Sequence, residues 1–344
     1  MRSHVIEGLK GLSWSCFRFV LKVETPFVWH KFPGAALRDE FGRVLKNSVC
    51  LHPSSECSAC LLRPRCVYPQ LFAPAPPPDA QRLRNLSDIP RPFVVEPLDT
   101  GHSESLEPGA RIEFRLMLVG QAIDQLPYFL VMYEKLGRDG FGPARGTFTL
   151  DEVLCDTSLA SLPLYRSGDT RLRDQPVRLT VENLVPRIER ELIRAQGSSH
   201  PIGLRVDLCS PTEIRRDGKP CRELSLDDLV RSVLRRLSNL AYFHCGAELD
   251  IDFPAVIALA TNCRMLSSDV RWQSQRRLSR RQHQSIPMGG LVGTIEFRLP
   301  DQRTLDVLLP YLTVGESFHV GKGCVMGLGR YQVVASAPPR EQLQ

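Results

Sequence analysis

The chain of 344 residues contains no apolar run approaching the roughly 20 residues that a membrane helix needs, and its most apolar stretch, FPAVIALATNC, is far shorter. Its first residues, MRSHVIEGLKGLSWSC, carry Glu7 and Lys10 and lack the unbroken apolar core of a secretion signal. Both absences predict a cytoplasmic protein with no membrane partner. A single small disulfide-stapled module is excluded by length, and the 11 cysteines are odd in number. Seven of them (Cys16, Cys155, Cys209, Cys221, Cys245, Cys263 and Cys324) stand alone, as buried thiols do in a reducing compartment. Strong charge of one sign is also missing. The net charge of +6 fits a polyanionic partner without naming one, so any nucleic-acid surface must show itself by local clustering. What is present, 42% hydrophobic and 24% charged residues, is enough for a sizeable core, and the length predicts two domains.

The order of elements supports that division. A short apolar stretch at 16–23 is followed by PGAALRDEFGRVLK, where Leu37, Phe41, Val44 and Leu45 recur at helical spacing. LFAPAPPPDAQRLRNLSDIPRPF then reads as a surface excursion, because its prolines cannot hold a regular element. RIEFRLMLV and TFTLDEVL alternate as strands on either side of AIDQLPYFLVMYEKLG, a helical pattern weakened by Pro127. With FVVEP as a weak strand, the first half reads β-α-β-β-α-β. In the second half, Leu204, Val206 and Leu208 alternate, and SLDDLVRSVLRRLSNLAY begins with a capping box at Ser225 and Asp228. His244 stands at the end of that helix as its expected cap. GTIEFRL follows as a strand, DQRTLDVLLPYL as a short helix interrupted at Pro310, and CVMGLGRYQVV as a glycine-broken strand. The expectation is an α+β protein of two tandem ferredoxin-like (RRM-like) domains, 1–195 and 196–344, with a cysteine-rich metal-binding insertion in the first.

Three stretches carry candidate chemistry. In SFHVGKGCVMGLGRYQVV, Gly321, Gly323, Gly327 and Gly329 surround Lys322 and precede Arg330, so exposed amides and cations can meet a phosphate, or the run is a tight hairpin. It is not a nucleotide P-loop, because Gly323 sits where the hydroxyl belongs. Upstream, VRWQSQRRLSRRQHQSIPMGG crowds Arg271, Arg276, Arg277, Arg280 and Arg281 beside Trp272 with no intervening acid. Guanidinium forks pair with phosphates and an indole stacks on bases, so this is the best nucleic-acid patch, the alternative being a solvated basic loop. Finally, CLHPSSECSACLLRPRC spaces Cys50, Cys57, Cys60 and Cys66 by six, two and five residues. Core packing does not explain such polar intervals. Four thiolates closing a tetrahedral structural site do, with zinc favoured, an iron–sulfur cluster as the other candidate and His52 as a substitute ligand.

LGRDGFGPARGTFTLDEV, RQHQSIPMGGLVGTIEF and FHVGKGCVMGLGRYQV together resemble the CRISPR precursor-RNA processing endoribonucleases of the RAMP superfamily. FPGAALRDEFGRVLK resembles that family's first helix, and some members carry a cysteine cluster after it. The resemblance implies cleavage of CRISPR repeat RNA into guide RNAs without a catalytic metal. A base takes the proton of a ribose 2′-hydroxyl, the oxyanion attacks phosphorus, and an acid protonates the departing 5′-oxygen, leaving a 2′,3′-cyclic phosphate. Many members place a histidine on or beside the first helix, and here that helix has none. His30, just before it, is the first candidate acid or base and His319, beside the glycine run, the second. Lys46 is the candidate cation for the charge on phosphorus. Tyr331 and Arg330 are possible assistants, and His283 a possible RNA contact. A different class is a non-catalytic RAMP subunit holding guide RNA among other CRISPR effector subunits, and a third is an iron–sulfur redox protein.

Overall fold

The computed structural model describes residues 2–52, 56–77, 80, 82, 89–98, 103–196, 202–279 and 284–336. After helix α1 (Arg2–Leu9), strand β1 (Trp14–Val23) buries Phe17, Phe19, Leu21 and Val23 on one side and turns Arg18 and Lys22 to the other. This two-residue period makes one face core and leaves the other polar. Strand β2 (Phe27–Trp29) leads into α2 (Gly34–Val49) and then α3 (Val67–Phe72). The predicted stripe of Leu37, Phe41, Val44 and Leu45 is buried, with the Phe41 ring stacked 4.2 Å from that of Phe129. Strands β3 (Phe93–Pro97), β4 (Glu104–Leu106) and β5 (Arg111–Val119) follow, then α4 (Leu126–Asp139), β6 (Phe148–Asp156) and β7 (Ser161–Arg166). Pro127 does not weaken α4. It occupies the first turn, where its missing N–H would have no helical partner.

The first sheet runs β3-β5-β1-β6-β7, all neighbours antiparallel. Without β7 this is the ferredoxin-like order. Helix α5 (Val185–Gln196) precedes the second unit, which begins at β8 (Gly203–Thr212) and continues through the two-residue strands β9 (Arg215–Arg216) and β10 (Lys219–Pro220). Then come α6 (Leu226–Leu240), α7 (Phe253–Thr261), β11 (Arg264–Ser279), β12 (Gln284–Arg298), α8 (Gln302–Glu316) and β13 (Tyr331–Ser336). The order β11-β12-β8-β13 repeats the ferredoxin-like plan.

Three local expectations change. Pro310 does not interrupt α8, which runs on through it because Leu305, Leu308, Leu309, Leu312 and Val314 are buried around it and outweigh the lost hydrogen bond. Helix α6 does begin with the capping box at Ser225 and Asp228, but it ends in a π-turn, Ala241–Cys245. His244 there does not cap the helix. Its Nε2 lies 2.6 Å from the Pro90 carbonyl of the first half, and burial pushes its pKa down to about 4. The arginine-rich stretch is a ribbon of two strands, not a loop, with Arg271 opposite Val292 and Arg277 opposite Ile286.

The two cores do not divide at 195/196. One gathers residues from Phe17 to Tyr165. The other takes Leu9, Trp14, Leu179, Ile188 and Leu192 together with residues of 204–335, and also Val94 and Met117 from the first sheet. Trp14 meets Phe318 edge to face at 5.2 Å. Part of the proline-rich excursion crosses between the halves. Arg82 hydrogen-bonds Ser238 and reaches Glu248 at 3.0 Å, while its guanidinium lies over the Tyr242 ring.

Candidate nucleic-acid interface

The glycine-rich run forms a closed loop seated on the end of β8. Its neck is the bond from Val320 N–H to the Gly329 carbonyl, 2.9 Å. Gly329 has φ +72°, and a Cβ there would stand 1.8 Å from the Val320 oxygen, so only glycine closes this neck. Lys322 N–H donates to the Glu213 carbonyl and Gly329 N–H to the Pro211 carbonyl, both at 3.0 Å. Ser210 Oγ donates to the Gly327 carbonyl at 2.9 Å, and Arg236 Nε to that of Phe318 at 2.7 Å.

These bonds narrow the expected cradle of amides. Gly327 and Gly329 are buried, and their N–H groups donate to Cys324 and Pro211 carbonyls, so their part is structural. Gly321 and Lys322 are exposed and Gly323 half-buried, and this is the face a phosphate can reach. Lys322 Nζ lies 3.7 Å from Glu213 Oε2, and Arg215 NH2 is 2.7 Å from Glu213 Oε1. Buried Glu213 thus gathers two half-exposed cations at one place. Neither Glu213 nor Arg215 was a sequence candidate, although PTEIRR directly after an alternating strand carries them.

The ribbon leaves the same strand end on its other side. Leu291 is the last β12 residue paired with β8, opposite Thr212, and the ribbon continues outward from there. Its base and the glycine loop therefore flank residues 211–213. Arg271 is exposed. Trp272 is not an open stacking platform, because the Arg222 guanidinium lies 3.7 Å from its ring centroid and the indole packs partly against the core. Arg276 and Arg277 face Pro287 and Ile286 in the register. Arg280, Arg281 and His283 lie outside the described residues.

From the first half, the start of α2 completes the site. Gly34 packs against the Met326 carbonyl, which sets the N-terminus of α2 beside the glycine loop. His30, just upstream, is exposed, and the Lys31 N–H is bonded to Ser103 Oγ at 3.0 Å. Lys46 is elsewhere. Twelve residues on from Gly34 it stands about 18 Å further along the helix, its Nζ over the Tyr68 ring at 5.8 Å. One helix cannot put both of its ends at one phosphate.

His319 is buried at φ +58°, with Nδ1 3.1 Å from the Leu328 carbonyl and Nε2 3.4 Å from Glu96 Oε2. Both partners accept only, so the two bonds are made together only when both ring nitrogens carry hydrogen. Buried and turned to these two partners, the ring is sealed from solvent. Burial alone would raise the Glu96 pKa, but the His319 bond and the charges of His319, Arg330 and Arg115 outweigh it and hold the carboxyl at about 2. Tyr331 is core, its hydroxyl donating to the Leu312 carbonyl at 2.7 Å.

The four clustered cysteines lie on the loop after α2, with Cys60 N–H on the Cys57 carbonyl and Cys66 N–H on that of Leu62. They are near enough that burial, then the charges of Cys50, Cys66 and Cys60, raise the Cys57 pKa against the lowering effect of Lys46. They do not converge, and among the described residues no three metal-ligating side chains do. Among the described residues of the loop, Leu51, Leu61 and Leu62 are all exposed and anchor it to no core.

Two ferredoxin-like units meeting at a glycine loop define the fold, and the comparisons agree with it. Residues 12–177 match a family model described as an N-terminal domain, and residues 206–331 match the model of CRISPR-associated endoribonuclease Cas6. The second half is therefore similar to the CRISPR-associated endoribonuclease Cas6 family over residues 206–331. Among solved structures, a partial Cas6-RT-Cas1–Cas2 complex matches at 14% identity and TM-score 0.56, covering 94% of this chain and 46% of that one. Thermus thermophilus Cas6 matches at 13% and 0.51, covering 94% and 99%. A Cas6 product complex gives 13% and 0.51, covering 93% and 100%. The chain thus spans about half the length of the first of these. No curated protein matches it. No described helix is long and apolar enough to cross a membrane.

Proposed function

We propose that this protein is an endoribonuclease of the RAMP superfamily that binds CRISPR repeat RNA and cuts the precursor transcript into guide RNAs. The observation that carries the proposal is the meeting, at the junction of the two halves, of the glycine loop with Lys322, the base of the arginine ribbon and the α2 end that presents His30. Lys322 and Arg215 neutralise phosphate at the loop, and the ribbon follows the backbone beyond it. His30 is an exposed imidazole at this junction, and histidine is the side-chain type suited to moving a proton near neutrality. It takes the 2′-hydroxyl proton as base or protonates the departing 5′-oxygen as acid. The 2′-oxygen bonds to phosphorus as the P–O5′ bond breaks, giving a 2′,3′-cyclic phosphate and a 5′-hydroxyl without a catalytic metal.

A second reading draws on the burial of His319, which leaves His30 as the one exposed histidine among the described residues at the junction, where acid–base cleavage ordinarily uses two groups. In that reading the chain holds RNA for other CRISPR subunits without cutting it. Incubation of 5′-labelled repeat RNA with the protein in chelator, beside the same RNA carrying a 2′-deoxyribose at the cut site, separates the two. The enzyme cuts the first RNA to a cyclic phosphate and only binds the second. Binding of both with cutting of neither establishes the holder.

We also propose that Cys50, Cys57, Cys60 and Cys66 hold a structural zinc that staples the loop after α2. Their number and spacing in the sequence and their shared loop support such a donor set, around which the loop would have to close to bring the four thiolates together.

A further inference from the structure

We infer that Glu96, on the edge strand of the first half, is a positioning residue for the RNA-facing loop of the second half; this rests on the RNA reading above. The neck of the loop joins Val320 to Gly329, and the residues just outside it are His319 and Arg330. Glu96 holds both. Its Oε2 faces His319 Nε2 at 3.4 Å and its Oε1 faces Arg330 Nε at 3.3 Å. One carboxylate from another part of the chain thus clamps the two strands of the neck.

Glu96 is itself fixed from behind. Arg115 NH1 lies 3.5 Å from Oε1, Arg115 Nε approaches Asp156 Oδ2 at 3.8 Å, and Asp156 pairs with Arg18 at 2.8 Å. This row of alternating charge crosses the polar side of the first sheet and ends at the loop. The clamp also accounts for the left-handed backbone of His319, which a non-glycine residue adopts only where its surroundings hold it. His319 Nδ1 faces the Leu328 carbonyl inward and Nε2 faces Glu96 Oε2 outward, so releasing Glu96 frees the ring and with it the neck. Lys322, inside the loop, would then lose its fixed place beside Glu213.

Glu96→Gln keeps the size and removes the charge. We expect faster amide exchange across 321–328, repeat-RNA affinity weaker by about tenfold, and a shallower salt dependence. In the Lys322→Ala background Glu96→Gln should weaken binding no further, since both changes act on one contact. Wild-type exchange in the loop, or additive effects of the two substitutions, overturns the inference. Should Glu96→Gln fail to fold, Arg330→Gln loosens the same clamp while His319 and Arg115 still compensate Glu96, and unchanged exchange at 321–328 overturns it equally. If the wild-type chain binds no repeat RNA, the functional reading fails, and the exchange comparison still decides the clamp.

Discussion

Gly34 opens α2 so close to Met326 that a Cβ on it would stand 2.2 Å from the Met326 carbonyl oxygen. The contact joins the first half's leading helix directly to the loop of the second. Because the obstacle is backbone, it cannot swing aside as a side chain would. Gly34→Ala should therefore cost about 1–3 kcal/mol in chemical denaturation, with weaker RNA binding as α2 is pushed off the loop. Unaltered stability would show that the two elements are not in contact in solution.

Lys322→Ala removes the exposed cation of the loop while leaving its amide on Glu213. Affinity for single-stranded repeat RNA should fall, and the log–log salt slope should lessen by about 0.7, one phosphate's share. Binding titrations at several salt concentrations measure both. An unchanged slope would take Lys322 off the RNA path.

His30→Ala should slow cleavage by about 10²–10⁴-fold with RNA affinity retained, as expected for a lost acid or base. Single-turnover cutting in chelator tests it. Full activity in this variant would move the proton-transfer role to another residue, and a strict need for added magnesium would contradict the acid–base route.

Cys57→Ser should release bound metal and lower the melting temperature before it touches cleavage. Metal analysis of the purified wild-type and variant proteins reads the first effect and thermal melting the second. A folded variant with stoichiometric metal would remove Cys57 from the ligand set.

His244 predicts an acid limit to stability. Its ring is buried against Pro90 with a pKa pushed down to about 4 by burial and by Arg236, against the raising effect of the Pro90 bond. Between about 6.5 and 4 the unfolded chain binds this proton and the folded chain does not, so stability falls as pH drops through that window, by up to about 3 kcal/mol. His244→Gln should flatten that part of a stability–pH profile. A profile identical to wild type would show that His244 is not sealed when folded.

The elements most legible in the sequence were those with one wet and one dry face. Leu204, Val206 and Leu208 in β8, and the stripe of α6, bury their alternate residues as their spacing requires. Strand β11 was not read, because 264–274 lies exposed or half-buried along its whole length and shows no apolar period. The glycine run and its lysine could be found by composition alone. Glu96 could not, since FVVEP contains nothing to say that its acid would face a histidine more than two hundred residues away. Lys46 misled for a related reason: nearness in sequence to His30 counts for nothing along a straight helix.

The loop at 320–329 and its seat on Gly34 and Glu96 lie more than two hundred residues apart in the sequence. Translation delivers the seat early and the loop late. A chain that stops short of the loop leaves Glu96 without either of its two neck partners, so the shape of the neck is set only once residues 319–330 have been made.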